Sequence, residues 1–249
     1  MSPLLEFALK TAVRAGKLTL AHFQSGVQVE RKGDLSPVTI ADREAERFIR
    51  EEIARTYQNH GIYGEEEGKE GDQSARWVID PIDGTKSFIS GVPLFGTLLS
   101  YEENEVPVVG VAYFPALDEV VFAERGEGAF WNGRPARVSK VSDLKDAVIC
   151  CGGHGSMDKH GRTPGITNLA RKALATRTWS DAYGHMLVAT GRVEAMIDPV
   201  VEWYDASAVK LIVQEAGGTH TNFDGTGDWK KQAVSTNGHL LAEILRAFA

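Results

Sequence analysis

Two aspartates three residues apart, Asp80 and Asp83, flank Pro81 in the stretch WVIDPIDGTKSF, and Gly84 and Thr85 follow at once. A solvated turn needs one short polar side chain to bind its own backbone. Residues 80–85 instead gather two carboxylates, a hydroxyl and a conformationally free backbone position. Such a density of hard oxygen donors points to a cation of the Mg²⁺ kind, which prefers carboxylate and carbonyl oxygens to thiolate or imidazole. Acidic groups recur at three other places: Glu65 and Glu66 in GEEEG, Asp42 in VTIAD and Asp205 in EWYDASA. Taken singly, the first reads as a solvated charge run, and the other two read as helix N-caps or charges matched to a helix dipole.

These groups must be positioned by regular elements. Trp77, Val78 and Ile79 read as the end of a buried strand; Asp80 halts the apolar run, and Pro81 cannot continue an interior ladder. A strand leading into a tight turn is therefore expected. Ser2 and Pro3 are an N-cap and first position for an opening helix, and a second helix places Ala41, Ala45, Phe48, Ile49, Ile53 and Tyr57 on one face. Residues 98–138 alternate short apolar runs with turn signals, as an antiparallel meander does. Beyond Asp146, strand-like AVICCG, RTWS and VEAMID alternate with helical ITNLARKALA, AYGHMLVATG and DASAVKLIVQEAG. GTHTNF then reads as the last strand, before a terminal helix capped at Asn237. The change of pattern divides the chain into subdomains 1–140 and 141–249, joined too closely to be separate and so expected to enclose a cleft.

Composition narrows the chemistry. The formal charge is −7 and no Lys/Arg run occurs, which argues against a nucleic-acid partner. No apolar segment approaches the length of a membrane span, and the N-terminus has helical rather than signal-like spacing, so a cytoplasmic location is expected. The only cysteines, Cys150 and Cys151, are adjacent and read as small core residues rather than a disulfide framework. Small-molecule chemistry is what remains.

Together, GEEEG, WVIDPIDGTKSFISG and WYDASAVKLIVQEAGG, in this order and at these separations, resemble the motif set of the inositol monophosphatase family of metal-dependent phosphomonoesterases. The likeness runs nearly the length of the chain, and the central Asp-Pro-hydrophobic-Asp-Gly-Thr motif matches at every position. The resemblance implies an α/β (α+β) fold, an αβαβα layered sandwich. It also implies two or three Mg²⁺ ions, inhibition by Li⁺ and a homodimer. The metal ligands it assigns are the carboxylates of Glu65, Asp80, Asp83 and Asp205 and the carbonyl of Ile82. Thr85 and Asp42 would orient and deprotonate the attacking water, with Glu66 assisting that water or a weaker ion. Gly84 and Thr85 would cradle the phosphate through their backbone, and Asp205 would also meet the substrate.

The stretch RTWSDAYGHMLVATGRVEAMIDP is similar to the histidinol-phosphatase branch of the family, which implies a place in histidine biosynthesis. Histidinol phosphate carries an amine and an imidazole, so its pocket should offer acidic groups; Asp181 and Glu202 are the candidates. The plain alternative is that Asp181 caps the helix beginning at Ala182 and Glu202 is merely exposed. Inositol 1-phosphate is the alternative substrate, with a bisphosphate phosphatase or a non-catalytic metal-binding protein further off. Thr85 and Asp42 speak against the last, since binding a metal alone requires neither.

Overall fold

The computed structural model describes residues 1–33, 36–179, 181–227, 229 and 231–249. Helix α1 (Pro3–Thr19) opens where expected, with the Ser2 hydroxyl accepting the Leu5 N–H at 3.2 Å. A short hairpin, β1 (Val29–Arg31) and β2 (Pro37–Thr39), leads into α2 (Ile40–Thr56). The chain then lays down β3 (Gly61–Gly64), β4 (Gly68–Glu70) and β5 (Ala75–Asp83), turns through the short α3 (Thr85–Ile89), and continues as β6 (Gly96–Glu103) and β7 (Val106–Phe114). Strands β8 (Glu119–Glu124), β9 (Gly128–Trp131) and β10 (Arg134–Ala136) complete an eight-stranded sheet of order β10-β9-β8-β7-β6-β5-β3-β4. All its pairings are antiparallel except β3 with β5, so the meander is as the turn signals imply.

The second half builds β11 (Val148–Cys151), α4 (His154–Lys159), α5 (Thr163–Ala170), β12 (Ala175–Arg177), α6 (Asp181–Ala189) and β13 (Ala195–Asp198). It ends with α7 (Trp203–Glu215), β14 (Thr219–Thr221), β15 (Ala233–Thr236) and α8 (Leu241–Arg246). Its strands form a five-stranded sheet of order β12-β11-β13-β15-β14. Apolar faces dictate the stacking. Leu5, Ala8, Ala12, Ile49 and Ile53 of α1 and α2 cover one face of the large sheet. Met186, Val209, Ile212 and Val213 of α6 and α7 cover the other, against Leu98, Ala112 and Phe114. Leu187 and Val188 of α6 also meet Cys150 and Met196 of the small sheet, whose far face packs on Met157, Ile166, Leu169 and Ile244 from α4, α5 and α8. The result is an αβαβα sandwich. Both cysteines are buried and free. No helix among the described residues is long and apolar enough to cross a membrane.

Several local expectations are corrected. Strand β5 does not stop at Asp80 but runs to Asp83, because the ladder with β6 shifts register between those residues and Pro81 sits in that irregularity, where a missing N–H does no harm. Asp205 is not the N-cap of α7: Glu202 holds that position, and Asp205 lies one turn inside. The helix read over ITNLARKALA ends at Ala170, and the strand beside it is Ala175–Arg177 rather than RTWS, whose Ser180 lies outside the described residues. GTHTNF is followed by one more strand, β15, which pairs between β13 and β14. The terminal helix begins at Leu241, although the Asn237 side chain still accepts the Leu240 N–H at 3.3 Å.

Candidate active site

At the end of β5, the irregularity turns the Asp80 and Asp83 carboxylates toward the start of α7. Ligating atoms of Asp80, Asp83 and Asp205 lie within 4.8 Å of one another. Asp80 is 2% and Asp83 6% exposed. Ile82, between them in the turn, puts its side chain among Ala41, Phe88 and Phe95, while its carbonyl accepts the Thr85 hydroxyl at 3.1 Å. Gly84 has φ +77°, and a Cβ there would come within 3.2 Å of Asp181 Oδ2 and 3.1 Å of the Leu94 carbonyl. Glycine therefore serves both the turn and the close approach of α6. The Asp83 carboxylate accepts the Ala182 N–H, from the second residue of α6, at 2.8 Å, which ties the turn to that helix.

Glu65 and Glu66 occupy the β3–β4 turn, off any helix, as GEEEG implies. The turn is held by Glu46 of α2, which accepts the Glu66 and Glu67 N–H groups at 2.8 and 3.0 Å and is paired with Arg50 at 2.9 Å. Gly64 makes this possible, since a Cβ there would fall 2.0 Å from Glu46 Oε1. Lys32 approaches from the β1–β2 hairpin, its ammonium 2.9 Å from Glu65 and 2.7 Å from Glu66. Asp42 is fully buried in the first turn of α2: its Oδ2 accepts the Thr39 N–H and hydroxyl at 2.8 and 2.6 Å, and its Oδ1 has no partner.

The electrostatics are one-sided. Burial, reinforced by the charges of Glu65, Asp83 and Asp205, pushes the Asp80 carboxyl well above its ordinary range. Asp83 rises likewise, through burial and then Asp181 and Asp205. Asp205 is raised to about 7 by burial, against the opposing hydrogen bond from the Glu202 N–H. Burial also raises Glu65 and Glu66, although Lys32 pulls both back, and it lifts Asp42 to about 6 despite the Thr39 hydrogen bonds. Burial opposes the charge of Lys32, yet its two glutamates outweigh it and raise the ammonium's pKa. Asp80 Oδ1 is buried without a hydrogen-bond partner. A bare carboxylate oxygen amid like charges is the donor set a hard divalent cation fits, and among the described residues no sulfur or imidazole joins the cluster.

Two cavities meet at this cluster. One is an open cleft containing Glu65, Asp80, Ile82, Gly84 and Thr85; the other, of ≈ 140 Å³, runs beneath α6 to Gly152, Ser156 and Asp198; Asp83, Lys86, Asp181 and Asp205 line both. Asp181 thus faces the cavity, whereas Glu202 is exposed at the N-cap of α7 and does not line it. Beside Asp181 on the inner wall stands Asp198, 9% exposed and raised to about 8 by burial and by Asp181 and Asp205. A Cβ at Gly152 would lie 2.9 Å from it. Sequence reading missed Asp198, which looks like an ordinary strand end before Pro199. It also missed Glu46, for which there was a signal: Asp42, Glu46 and Arg50 recur every fourth residue beside the apolar face of α2, where a solvated charge has no place.

The comparisons with known proteins agree with this architecture. Residues 1–248 match the inositol monophosphatase family. A histidinol-phosphatase of Chlorobaculum parvum is 43% identical over 90% of this chain and 88% of its own. A fructose-1,6-bisphosphatase/inositol-1-monophosphatase of Thermotoga maritima is 36% identical over 97% of this chain and 94% of its own. Among solved structures, the extragenic suppressor protein suhB of Bartonella henselae superposes with a TM-score of 0.93 at 31% identity, covering 99% of this chain and 98% of its own. With the layered sandwich, the acidic cluster and a match along essentially the whole sequence, the chain belongs to the inositol monophosphatase family.

Proposed function

We propose that this phosphatase is Mg²⁺-dependent and that its substrate is histidinol phosphate. The observation that carries the substrate assignment is the charge of the inner cavity: leading away from Asp83 and Asp205 it presents Asp181 and Asp198, with Lys86 the only Lys or Arg of its lining among the described residues. Burying a carboxylate is costly, and Asp198, lifted to about 8 by burial and by Asp181 and Asp205 although Lys86 pulls it back, would be drawn into its ionised form by an incoming ammonium. A neutral polyol offers no such compensation. The relatives point the same way, since the Chlorobaculum parvum histidinol-phosphatase is the nearer of the two enzymes named above.

Glu65, Asp80, Asp83, Asp205 and the Ile82 carbonyl would hold the metal, and Asp205, lining both cavities, would stand beside the substrate as well. Bound there, divalent cations supply positive charge for the phosphate and the leaving oxygen and raise the acidity of water. The chain's own residues do the rest. Thr85 commits its proton to the Ile82 carbonyl, which leaves its oxygen lone pairs to accept from the attacking water and so fix its orientation. Asp42, raised to about 6 and with Oδ1 unpartnered, is the acceptor for the water's proton. Glu66, held by its backbone to Glu46 and by its carboxylate to Lys32, shapes the charge on that side. Gly84 lets the Asp181 carboxylate approach the turn closely, and the backbone of Gly84 and Thr85, in the open cleft, lies where the phosphate would rest. Measuring kcat/KM on histidinol phosphate, inositol 1-phosphate and fructose 1,6-bisphosphate tests the reading. A clear preference for histidinol phosphate is expected, and a preference for either other ester would overturn it.

A further inference from the structure

Deep in the inner cavity lies a second polar feature that carries no charge. His185 of α6 and His220 of β14, each 3% exposed, both line the cavity, and both aim Nδ1 at the hydroxyl of Ser235 on β15, at 2.7 and 2.8 Å. Their ring centroids are 5.7 Å apart. His220 Nε2 is buried with no hydrogen-bond partner. Burial holds both rings neutral, lowering His185 to about 3 and His220 well below the usual imidazole range. A serine hydroxyl has one proton to give, and Ser235 has no other hydrogen-bonding group in reach of its hydroxyl among the described residues. One Nδ1 must then accept that proton's hydrogen bond, while the other must carry a hydrogen and donate to the oxygen. The rings are locked in opposite tautomers: one Nε2 is a bare acceptor and the other an N–H donor. If the hydroxyl turns and both rings exchange tautomers, donor and acceptor swap places.

We propose that the His185–Ser235–His220 unit reads the imidazole ring of the substrate, which likewise presents one N–H and one bare nitrogen. The inference rests on histidinol phosphate being the substrate and extends it from the ammonium to the ring. Carboxylates nearer the mouth, Asp181 and Asp198, meet the cationic amine, and the paired histidines meet a flat group with one donor and one acceptor. Because the unit can exchange its two roles, it accepts either tautomer of the incoming ring. An inositol, with hydroxyls around its whole rim, would find too few partners on a surface that also includes Val209 and Ala233.

Two variants test this on the full chain loaded with Mg²⁺. His220→Phe removes the unpartnered nitrogen, and Ser235→Ala keeps both rings but releases the tautomer lock. Each is expected to lower kcat/KM for histidinol phosphate by about ten- to a hundredfold, mainly through KM, and to change glycerol 2-phosphate hydrolysis by less than about twofold. ¹⁵N spectra of histidine-labelled wild-type protein give a reading that does not depend on a variant folding. Two opposite neutral tautomers are expected, with an Nε2 resonance that moves when histidinol is added. Matching tautomers, no movement at saturating histidinol, or equal effects on both esters would assign the unit to holding α6 against β14 and β15 and overturn the inference. A wild-type enzyme that prefers histidinol phosphate while its variants lose no selectivity sinks this inference alone. A wild-type preference for inositol 1-phosphate sinks the substrate reading and the inference together.

Discussion

The same two elements, β5 and α7, carry two buried acidic regions that the fold treats in opposite ways. Four residues before Asp80 on β5, Arg76 pairs with the fully buried Glu102 of β6 through Nε at 2.9 Å and its other nitrogen at 2.8 Å. The other Glu102 oxygen accepts Trp203 Nε1 at 2.8 Å and the Ser207 hydroxyl at 2.6 Å, both from α7 on either side of Asp205. Trp203 also covers the guanidinium, 4.9 Å from its ring. Both Glu102 oxygens are met by donors and the charge is matched, the condition under which a buried ion pair survives, although Arg76 Nη2 stands close to Glu102 without a hydrogen bond of its own. A few residues along the same elements, Asp80, Asp83 and Asp205 face mainly one another, and Asp80 Oδ1 faces no donor at all. The chain has the means to neutralise a buried carboxylate and uses them next door. The acidic cluster is therefore short of positive charge, while the matched pair ties β5, β6 and α7 together so that the three carboxylates keep their spacing.

The largest effect should come from removing a charge on the unmatched side. Asp83→Asn keeps an oxygen for the Ala182 N–H but loses one ligand charge, and phosphate release is expected to fall by at least about 10³-fold. In chelator the same variant should melt no lower than wild type, because it relieves repulsion; near-wild-type turnover with Mg²⁺ would refute the assignment. On the matched side the signs reverse. Glu102→Leu leaves the Arg76 guanidinium buried and uncompensated, and should cost about 3–5 kcal/mol in denaturant unfolding. Adding Arg76→Met should recover most of that loss, since an apolar pair of similar volume replaces a matched charge pair with little penalty. A double variant no more stable than the single would show that the network contributes more than charge matching.

That contrast also explains how far the sequence could be read. The cluster was legible because its parts are local: two aspartates around Pro81, then Gly84 and Thr85, announce a rigid oxygen-rich turn within one short stretch. The opening helices and the meander were legible through periodicity and turn residues. Asp198 and the histidine pair were not, because their meaning is non-local. Asp198 reaches Gly152 only since β11 and β13 run parallel with Cys151 opposite Ile197, and Ser235 joins two histidines only because β15 was inserted between β13 and β14. Strand β15 itself, AVST, is too short and too weakly patterned to announce a strand. Glu202 shows the converse: it is near Asp205 in sequence, yet it sits exposed at a helix N-cap, outside the lining of the inner cavity.

A gentler perturbation is pH in the absence of metal. Asp205 and Asp198 have folded-state values of about 7 and about 8 against an ordinary 3.8, and Asp80 and Asp83 are raised as well. The folded protein therefore holds protons that the unfolded chain releases. As far as these groups are concerned, its stability in chelator should be greatest below about pH 4, where the unfolded carboxyls are protonated too, and fall steadily as pH rises from there through about 8. Saturating Mg²⁺ should flatten the part of this slope due to the ligands, since the cation replaces the protons, and should raise the melting temperature most at alkaline pH. A slope of the opposite sign, or one unchanged by Mg²⁺, would mean that these carboxylates are not held without compensation.

The smallest expected effect separates the two cavity walls. Asp198 lines the inner cavity but lies outside the cluster of Asp80, Asp83 and Asp205, so Asp198→Asn should leave metal binding and glycerol 2-phosphate hydrolysis nearly unchanged. For histidinol phosphate it removes a charge that faces the amine, and a loss of about tenfold in kcat/KM is expected, carried mainly by KM. Asp181→Asn should act in the same direction but less cleanly, because Asp181 also lies against Gly84 at the mouth of the metal cleft and adds to the field on Asp83. Comparing the two variants on a cationic and a neutral ester thus locates the boundary between charge that serves the cation cluster and charge that serves the alcohol. If Asp198→Asn weakened both esters alike while Mg²⁺ affinity also fell, Asp198 would belong to the unmatched cluster, and the acidity of the inner cavity would no longer argue for a cationic substrate.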